Sequence, residues 1–160
     1  MPDFKTYFKT KFVSPLLGFL KQGVTPRKLS LCIALGFICG IFPVLGSTTL
    51  LCGITAYVLK LNQPAIQLIN YFVYPLQLIL FIPFFKLGGL LFSEPFSYSL
   101  PDLYQMLQND WLETIRLLWV ANLRAIMIWL TVSPIIGVII YYPVFAVLSK
   151  LDRKSSTEMP

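Results

Sequence analysis

The sequence contains no histidine and few charged residues: Asp, Glu, Lys and Arg together make up 12% of its 160 residues. Without histidine it lacks the commonest general base and the commonest zinc ligand. A soluble domain has about 25% charged residues, so this composition argues against a soluble domain. The 15% of aromatic residues excludes a disordered chain. With 56% hydrophobic residues and a mean hydropathy of +0.72, the sequence is typical of an integral membrane protein.

Acidic residues are scarcer than basic ones, seven against thirteen, which gives a net charge of +6. The basic residues flank apolar segments and form no stripe along one face. This pattern predicts topology signals and contact with anionic lipid headgroups, and it argues against nucleic-acid binding. The three cysteines, Cys32, Cys39 and Cys52, have no C-x-x-C spacing. We therefore expect no disulfide framework, no metal site and no cofactor.

Residues 1–28 form a cationic, aromatic segment. Three phenylalanines, Phe4, Phe8 and Phe12, recur at a spacing of four and so share one face of a helix. The neighbouring lysines lie largely off that face. The spacing predicts an interfacial helix that lies on an anionic membrane surface. A simple basic topogenic tail is the alternative.

Residues 29–59 carry no charge. As one straight helix they would measure about 46 Å, against a hydrocarbon core of about 30 Å. Proline and glycine in the segment Pro43–Thr49, which we call the tip, predict a break in the middle. Each arm is then too short to cross alone, and basic residues at both ends favour the same side of the membrane. The segment predicts a re-entrant helical hairpin, and a kinked or tilted single span is the alternative.

Two further apolar segments, 64–85 and 125–148, are each long enough to cross a bilayer. Between them, residues 87–124 are predicted to form an acidic external loop with an amphipathic stretch. Residues 151–160 are predicted to be a disordered basic tail. Basic termini predict that both ends are cytoplasmic, which requires an even number of crossings. The predicted fold is an all-α polytopic membrane protein: a Pro/Gly-broken re-entrant hairpin, two spanning helices and interfacial amphipathic helices, in a membrane domain over 29–150.

The tip is the candidate ligand site. The hydroxyl of Ser47 or Thr48 can cap a helix that starts there, and the free N–H groups of a helix N-terminus attract anions. The pattern predicts a lipid phosphate or carboxylate at the tip, and the alternative is that the hydroxyls serve only as caps. The candidate ligand-binding residues are Pro43, Gly46, Ser47, Thr48 and Thr49, the cationic guides Arg27, Lys28 and Arg124, and Asn70 and Gln77 on one helix face.

Asn70 and Gln77 have two possible roles, since they can hydrogen-bond to the hairpin or line a polar path. Arg124 can pair with a phosphate or extend its side chain to the lipid headgroups. A second group of residues is predicted to be structural: Gly36, Gly40, Gly53, Pro64 and Pro75. The G-x-x-x-G spacing of the first two predicts close helix packing within the chain, with a dimer interface as the alternative.

Catalysis finds little support in this sequence. No carboxylate lies within the apolar segments, and no nucleophile–base pair is visible without histidine. We therefore predict that the protein is not an enzyme.

Several of these residues form one longer pattern. Gly36 and Gly40 are followed by Phe42-Pro43-Val44-Leu45-Gly46, then by Asn62-Gln63-Pro64-Ala65 and Tyr74-Pro75. The pattern resembles the bacterial membrane family catalogued as domain of unknown function 2062, over about residues 20–150. Where many members have Asn-Pro in the second span, this chain has Tyr74-Pro75. The resemblance implies a membrane fold and the bacterial inner membrane, but no activity; the Pro-Gly tip is also similar to that of DedA-type lipid-carrier translocases.

The functional hypothesis is a small inner-membrane protein that binds or moves an anionic-headed lipid or lipid-linked carrier. Its predicted partners are membrane lipids and further copies of itself in a homo-oligomer, because so few apolar segments cannot enclose a path alone. The alternative is a non-catalytic membrane anchor or assembly factor for a partner complex.

Overall fold

The computed structural model describes residues 18–19, 24–93 and 100–157. In these ranges all regular structure is helical, which confirms the all-α prediction at this level. The helices are α1 (Pro26–Gly40), α2 (Thr48–Val58), α3 (Gln63–Leu91), α4 (Leu100–Asn109) and α5 (Trp111–Thr157). Most of the predicted N-terminal interfacial helix, at residues 1–17 and 20–23, lies outside the described residues.

Helix α1 begins three residues before the predicted boundary at Leu29. Thr25 caps it by accepting a hydrogen bond from the Lys28 N–H at 3.4 Å, and Pro26 supplies a first residue whose missing N–H costs nothing there. The helix ends where the Phe42 N–H turns to the carbonyl of Cys39 at 3.2 Å. Pro43 follows and has no N–H to continue the ladder.

The chain reverses direction between α1 and α2. Cys39 Sγ near the end of α1 lies 3.7 Å from Thr55 Oγ1 of α2, and Cys32 Sγ donates to the carbonyl of Asn62 at 3.8 Å. The two helices are therefore antiparallel. The start of α1 and the turn after α2 meet at one end of the molecule, which we call the base.

Helix α3 starts at the base and runs parallel to α1. Asn62 caps it by accepting from the Ala65 N–H at 2.9 Å, and Pro64 lies in its first turn. Gly36 faces Ile66 and Ile69 of α3, and Gly40, one turn higher, faces Val73. The helix continues through its internal prolines to Leu91, beyond the predicted end at residue 85, so its 29 residues span about 43 Å.

Helix α5 extends beyond the predicted span 125–148 at both ends. It has 47 residues, from Trp111 to Thr157, or about 70 Å of helix. Of the predicted loop 87–124, residues 87–91 lie in α3, 100–109 form α4 and 111–124 lie in α5. Residues 151–157 are helical where a disordered tail was predicted, because no glycine or proline interrupts the chain after Pro143 within the described residues.

The core lies where α1, α3 and α5 meet. Helix α5 runs antiparallel to the other two: Arg124 lies beside Gly88 of α3, and Trp129 further along donates to the carbonyl of Ile38. The buried residues here are small or aliphatic, among them Leu29, Cys32, Ile66, Ile69 and Ala125. Two helices, Gln63–Leu91 and Trp111–Arg153, are long and apolar enough to cross a membrane.

Candidate ligand site at the α1–α2 tip

The tip, Pro43–Thr49, comprises most of the loop that joins α1 to α2 and the first two residues of α2, at the end away from the base. Pro43 is buried, whereas Leu45 and Gly46 are exposed. Gly46 has a φ of +83°, in the left-handed region that glycine adopts without a steric penalty. The predicted proline–glycine break is therefore present, and it depends on the backbone of Gly46.

Two side chains donate to free carbonyls at the end of α1 and just beyond it. Gln77 of α3 donates its Nε2–H to the Phe42 carbonyl at 2.8 Å. Trp129 of α5 donates its Nε1–H to the Ile38 carbonyl at 3.0 Å, and its ring meets that of Phe42 edge-on, with centroids 4.8 Å apart. Since an unpaired buried carbonyl is costly, these bonds hold the end of α1 against α3 and α5.

A second pair of amides holds the start of α2. Gln67 Nε2 donates to the Thr49 carbonyl at 2.9 Å, and Asn70 Nδ2 donates to Thr49 Oγ1 at 3.4 Å and to Gln67 Oε1 at 3.2 Å. Asn70 is 3% exposed and Gln77 1% exposed. Of the two roles predicted for Asn70 and Gln77, hydrogen bonding to the α1–α2 pair is the one observed.

The predicted cap of α2 is wrong. Ser47 occupies the N-cap position, but its hydroxyl donates back to the Val44 carbonyl at 2.9 Å, and no side chain caps the helix. The reason is its backbone, with φ −92° and ψ −12°, since a capping residue normally has extended dihedral angles. Thr48 does not replace it, because it is already the first helical residue and is 4% exposed.

The tip is consequently rich in free hydrogen-bond donors. Among the N–H groups of residues 44–50, only that of Ser47 reaches a protein acceptor within the described structure, the Val44 carbonyl at 3.4 Å. The first N–H groups of a helix carry its partial positive charge. The arrangement can bind a negatively charged or strongly accepting group.

One acceptor stands out beside these donors. Gln77 Oε1 is buried and has no hydrogen-bond partner in the described structure. Its amide nitrogen is committed to Phe42, next to Pro43, so the oxygen lies beside the break. A water molecule or a ligand hydroxyl would satisfy it.

The three predicted cationic guides lie away from the tip. Arg27 and Lys28 are in the first turn of α1, at the base, about 20 Å of helix from the tip. Arg124 lies beside Gly88, about 16 Å along α3 from Gln77, and its guanidinium is 5.5 Å from the Phe92 ring centroid. The structure does not bring these three side chains together at the tip, since charge and composition carry no information on how far apart the folded helix ends lie. Their role as electrostatic guides stays a prediction.

The predicted structural residues differ in what they contact. A Cβ at Gly36 would lie 2.8 Å from Ile69 Cβ, and one at Gly40 3.2 Å from Val73 Cβ, so both glycines pack within the chain as predicted. At Gly53 a Cβ would meet nothing within 4 Å, so the close packing expected there is not seen among the described residues. Pro64 lies in the first turn of α3, and Pro75 is an exposed residue within it.

The family of the chain follows from comparison with known proteins. The family described as "Uncharacterized protein conserved in bacteria (DUF2062)" matches residues 10–157. The chain belongs to the DUF2062 family. Comparison with curated proteins and with solved structures gave no match. The family resemblance noted in the sequence is thus confirmed, and the tip lies within the matched residues of this DUF2062 protein.

Three residues of the DUF2062 chain that shape the site were not predicted. Gln67 holds α2, Trp129 binds the end of α1, and Gly88 allows α3 and α5 to approach, since a Cβ there would lie 3.0 Å from the Arg124 carbonyl carbon. The spacing of Gln67, Asn70 and Gln77 on one helix face was the available signal for Gln67. Among the described residues, no group of three His, Cys, Asp or Glu could hold a metal ion.

Proposed function

We propose that this protein is an integral membrane protein whose α1–α2 pair enters the bilayer to half its depth and binds an anionic lipid headgroup at the tip. The observation that carries the proposal is the set of free N–H donors at residues 44–46 and 48–50. Donors at a helix N-terminus attract phosphate and carboxylate groups. Irregular backbone at membrane depth has to line a wet cavity or be covered by protein.

The height of the tip along α3 supports half-depth insertion. Phe42 hydrogen-bonds to Gln77, which lies about 21 Å of helix from either end of α3. A helix that crosses the bilayer therefore carries the tip at its midpoint. Discontinuous helices of transporters bind anionic substrates at the same depth.

In this proposal both ends of the α1–α2 pair face the cytoplasm, with the base inside. Support comes from the distribution of charge, since Arg27, Lys28 and Lys60 are exposed at the base. Basic residues concentrate on the cytoplasmic side of membrane proteins. The C-terminal end of α5 then faces the same side, and the protein resides in the bacterial inner membrane.

A homo-oligomer completes the proposed site. The outer face of α2 exposes Leu50, Ile54 and Tyr57, and most of α5 is exposed along its apolar length. One copy leaves the tip open towards the far half of the bilayer, so neighbouring copies flank the tip there and leave an aqueous route to it.

The proposal is tested by reconstitution into vesicles that contain a fluorescent anionic lipid. Gly46→Leu places a bulky side chain at the tip, and Gly53→Leu is the matched control, because a Cβ at Gly53 meets nothing within 4 Å. We expect lipid binding and flipping to be lost in Gly46→Leu and retained in Gly53→Leu. Because a side chain at position 46 strains the backbone, Ser47→Val is a second tip variant that keeps Gly46. Circular dichroism checks that each variant is still helical. Wild-type flip rates equal to those of protein-free vesicles, together with no lipid retained, would refute the proposal.

A second candidate is a membrane anchor or assembly factor for a partner complex. The start of α5 and α4 favours it, because large apolar side chains are exposed there: Tyr104, Leu107, Trp111, Leu112, Ile115 and Trp119. Crosslinking in membranes distinguishes the two. This candidate predicts a stable partner that is lost in Trp119→Ser and unaffected by Gly46→Leu.

A further inference from the structure

The base collects basic side chains from separate parts of the chain. Arg27 and Lys28 lie in the first turn of α1, and Lys60 follows α2; all three are exposed. The hydrogen bond from Cys32 Sγ to the Asn62 carbonyl, 3.8 Å, brings the α2–α3 turn beside α1. Cys32 is about 6 Å of helix from Lys28. These basic groups therefore lie at the same end of the molecule.

The last turns of α5 reach the same level. Gly137 lies against Ile38, since a Cβ at Gly137 would be 2.6 Å from Ile38 Cδ1. From this contact Lys150 is about 20 Å further along α5, and Arg27 is about 17 Å back along α1. Because the helices are antiparallel, both side chains arrive at the base. Arg153 lies nearby with Asp152, and each of these two has an interaction partner.

The opposite end of the molecule has no such excess of positive charge. Among its described residues, the basic Lys86, Arg116 and Arg124 are matched by the acidic Asp102, Asp110 and Glu113. Asp152 is the acidic residue that the structure describes at the base. An excess of positive charge therefore occurs at the base alone among the described residues.

The backbone of Lys60 has a conformation that glycine adopts more easily. Lys60 has a φ of +52° and follows the last turn of α2, where its N–H donates to the Tyr57 carbonyl at 3.3 Å. The next N–H, of Leu61, donates to the Ala56 carbonyl at 2.9 Å, which completes a Schellman motif. This position usually holds glycine, because other residues are strained there. Lysine brings a positive charge to a position where glycine would relieve the strain.

We propose that the base is a binding site for the phosphate groups of anionic lipids, separate from the tip. Lysine and arginine side chains near a membrane surface attract anionic headgroups additively, and arginine can bind phosphate through two parallel hydrogen bonds. The site reassigns Arg27 and Lys28, which the sequence associated with the tip. It stands or falls independently of the function proposed for the tip.

Native mass spectrometry of protein released from nanodiscs measures which lipids are retained. Nanodiscs of phosphatidylglycerol and phosphatidylcholine are used with Lys28→Gln/Lys60→Gln, and Lys86→Gln/Arg116→Gln is the charge-matched control. We expect the base variant, which lacks two charges, to lower phosphatidylglycerol retention roughly thirtyfold, and the control to leave it unchanged. Equal retention in both variants would overturn the proposal. Inorganic phosphate bound in pure phosphatidylcholine discs, with no preference for phosphatidylglycerol, would also overturn it in favour of a free-phosphate site.

A second pair of variants separates charge from backbone strain. Ser93 follows α3, has a φ of +54° and carries no charge. Ser93→Gly therefore relieves the same kind of backbone strain as Lys60→Gly without removing a charge. We expect both variants to unfold in neutral detergent at the wild-type temperature or above it. Only Lys60→Gly should lose phosphatidylglycerol retention. If Lys60→Gly retains the lipid like wild type, Lys60 has no role in binding and the proposal fails.

Discussion

The buried side-chain amide of Gln77 has a hydrogen-bonded nitrogen, whereas its oxygen has no partner in the described structure. Its Nε2 donates to the Phe42 carbonyl at 2.8 Å. We expect Gln77→Met to lower the free energy of unfolding by about 1–3 kcal/mol, because Phe42 loses its donor. Equilibrium unfolding in mixed detergent micelles measures the loss.

Gln63 supplies a matched control for that measurement. Its Nε2 donates to the Gly53 carbonyl at 2.9 Å, a bond of the same type at an exposed position. Water replaces an exposed donor, so Gln63→Met should cost under about 1 kcal/mol. Losses of equal size in the two variants would show that burial of Gln77 does not determine its contribution.

Two glycines on neighbouring helices should respond oppositely to the same substitution. A Cβ at Gly36 would lie 2.9 Å from the Ile66 carbonyl oxygen, which is backbone and cannot rotate away. We expect Gly36→Ala to destabilise the protein by about 1–3 kcal/mol through overpacking. Gly53→Ala, with open space around the new methyl group, should gain up to about 1 kcal/mol from helix propensity. Thermal unfolding of both variants measures these changes in stability. A Gly36→Ala variant as stable as wild type would contradict the packing described for α1 and α3.

Residue chemistry explains why part of the tip could be predicted from the sequence. Proline and glycine act on their own backbone, so the break at Pro43 and Gly46 follows from local rules. The cap of α2 does not, because it depends on the dihedral angles of Ser47, which the folded loop determines. The contacts of Trp129 with Ile38 and Phe42 join residues far apart in the chain, and no local pattern indicates them.

At the scale of helices, the sequence predicted membrane-length segments better than helix ends. The broken stretch 29–59 and a segment starting at Pro64 correspond closely to α1, α2 and the start of α3. Glu113 and Arg116 lie in the amphipathic stretch of the predicted external loop, and in the structure both belong to α5, which continues without a break into the predicted span. Charged residues change the hydropathy of a segment without ending its helix. Asp110 begins α5 there by accepting from the Glu113 N–H at 3.1 Å.

The antiparallel pairing of α1 and α2 leads to a labelling prediction. In a variant with the native cysteines replaced by alanine, Thr25→Cys and Lys60→Cys should react with an impermeant maleimide from the same side of the membrane. Ser93→Cys, which follows the far end of α3, should react from the other side. The reason is that α1 and α2 turn back at mid-height whereas α3 continues to its full length of about 43 Å. Labelling of Thr25 and Lys60 from opposite sides would refute half-depth insertion.

For the whole molecule, the proposed half-depth insertion places the polar tip inside the bilayer, with no part of α1 or α2 between the tip and the far membrane surface. Leu45 is 48% exposed at the tip, and Leu50 is 67% exposed on the outer face of α2. Since free backbone groups at membrane depth require water or protein around them, we expect water to reach the tip from the far side. Leu45→Cys should then react with a charged methanethiosulfonate reagent added on the side of α4, whereas Leu50→Cys, facing lipid, should react only with an uncharged, permeant reagent. If Leu45→Cys behaves like Leu50→Cys, the tip is covered by protein or lipid chains, and a charged headgroup has no aqueous route to the N–H donors of α2.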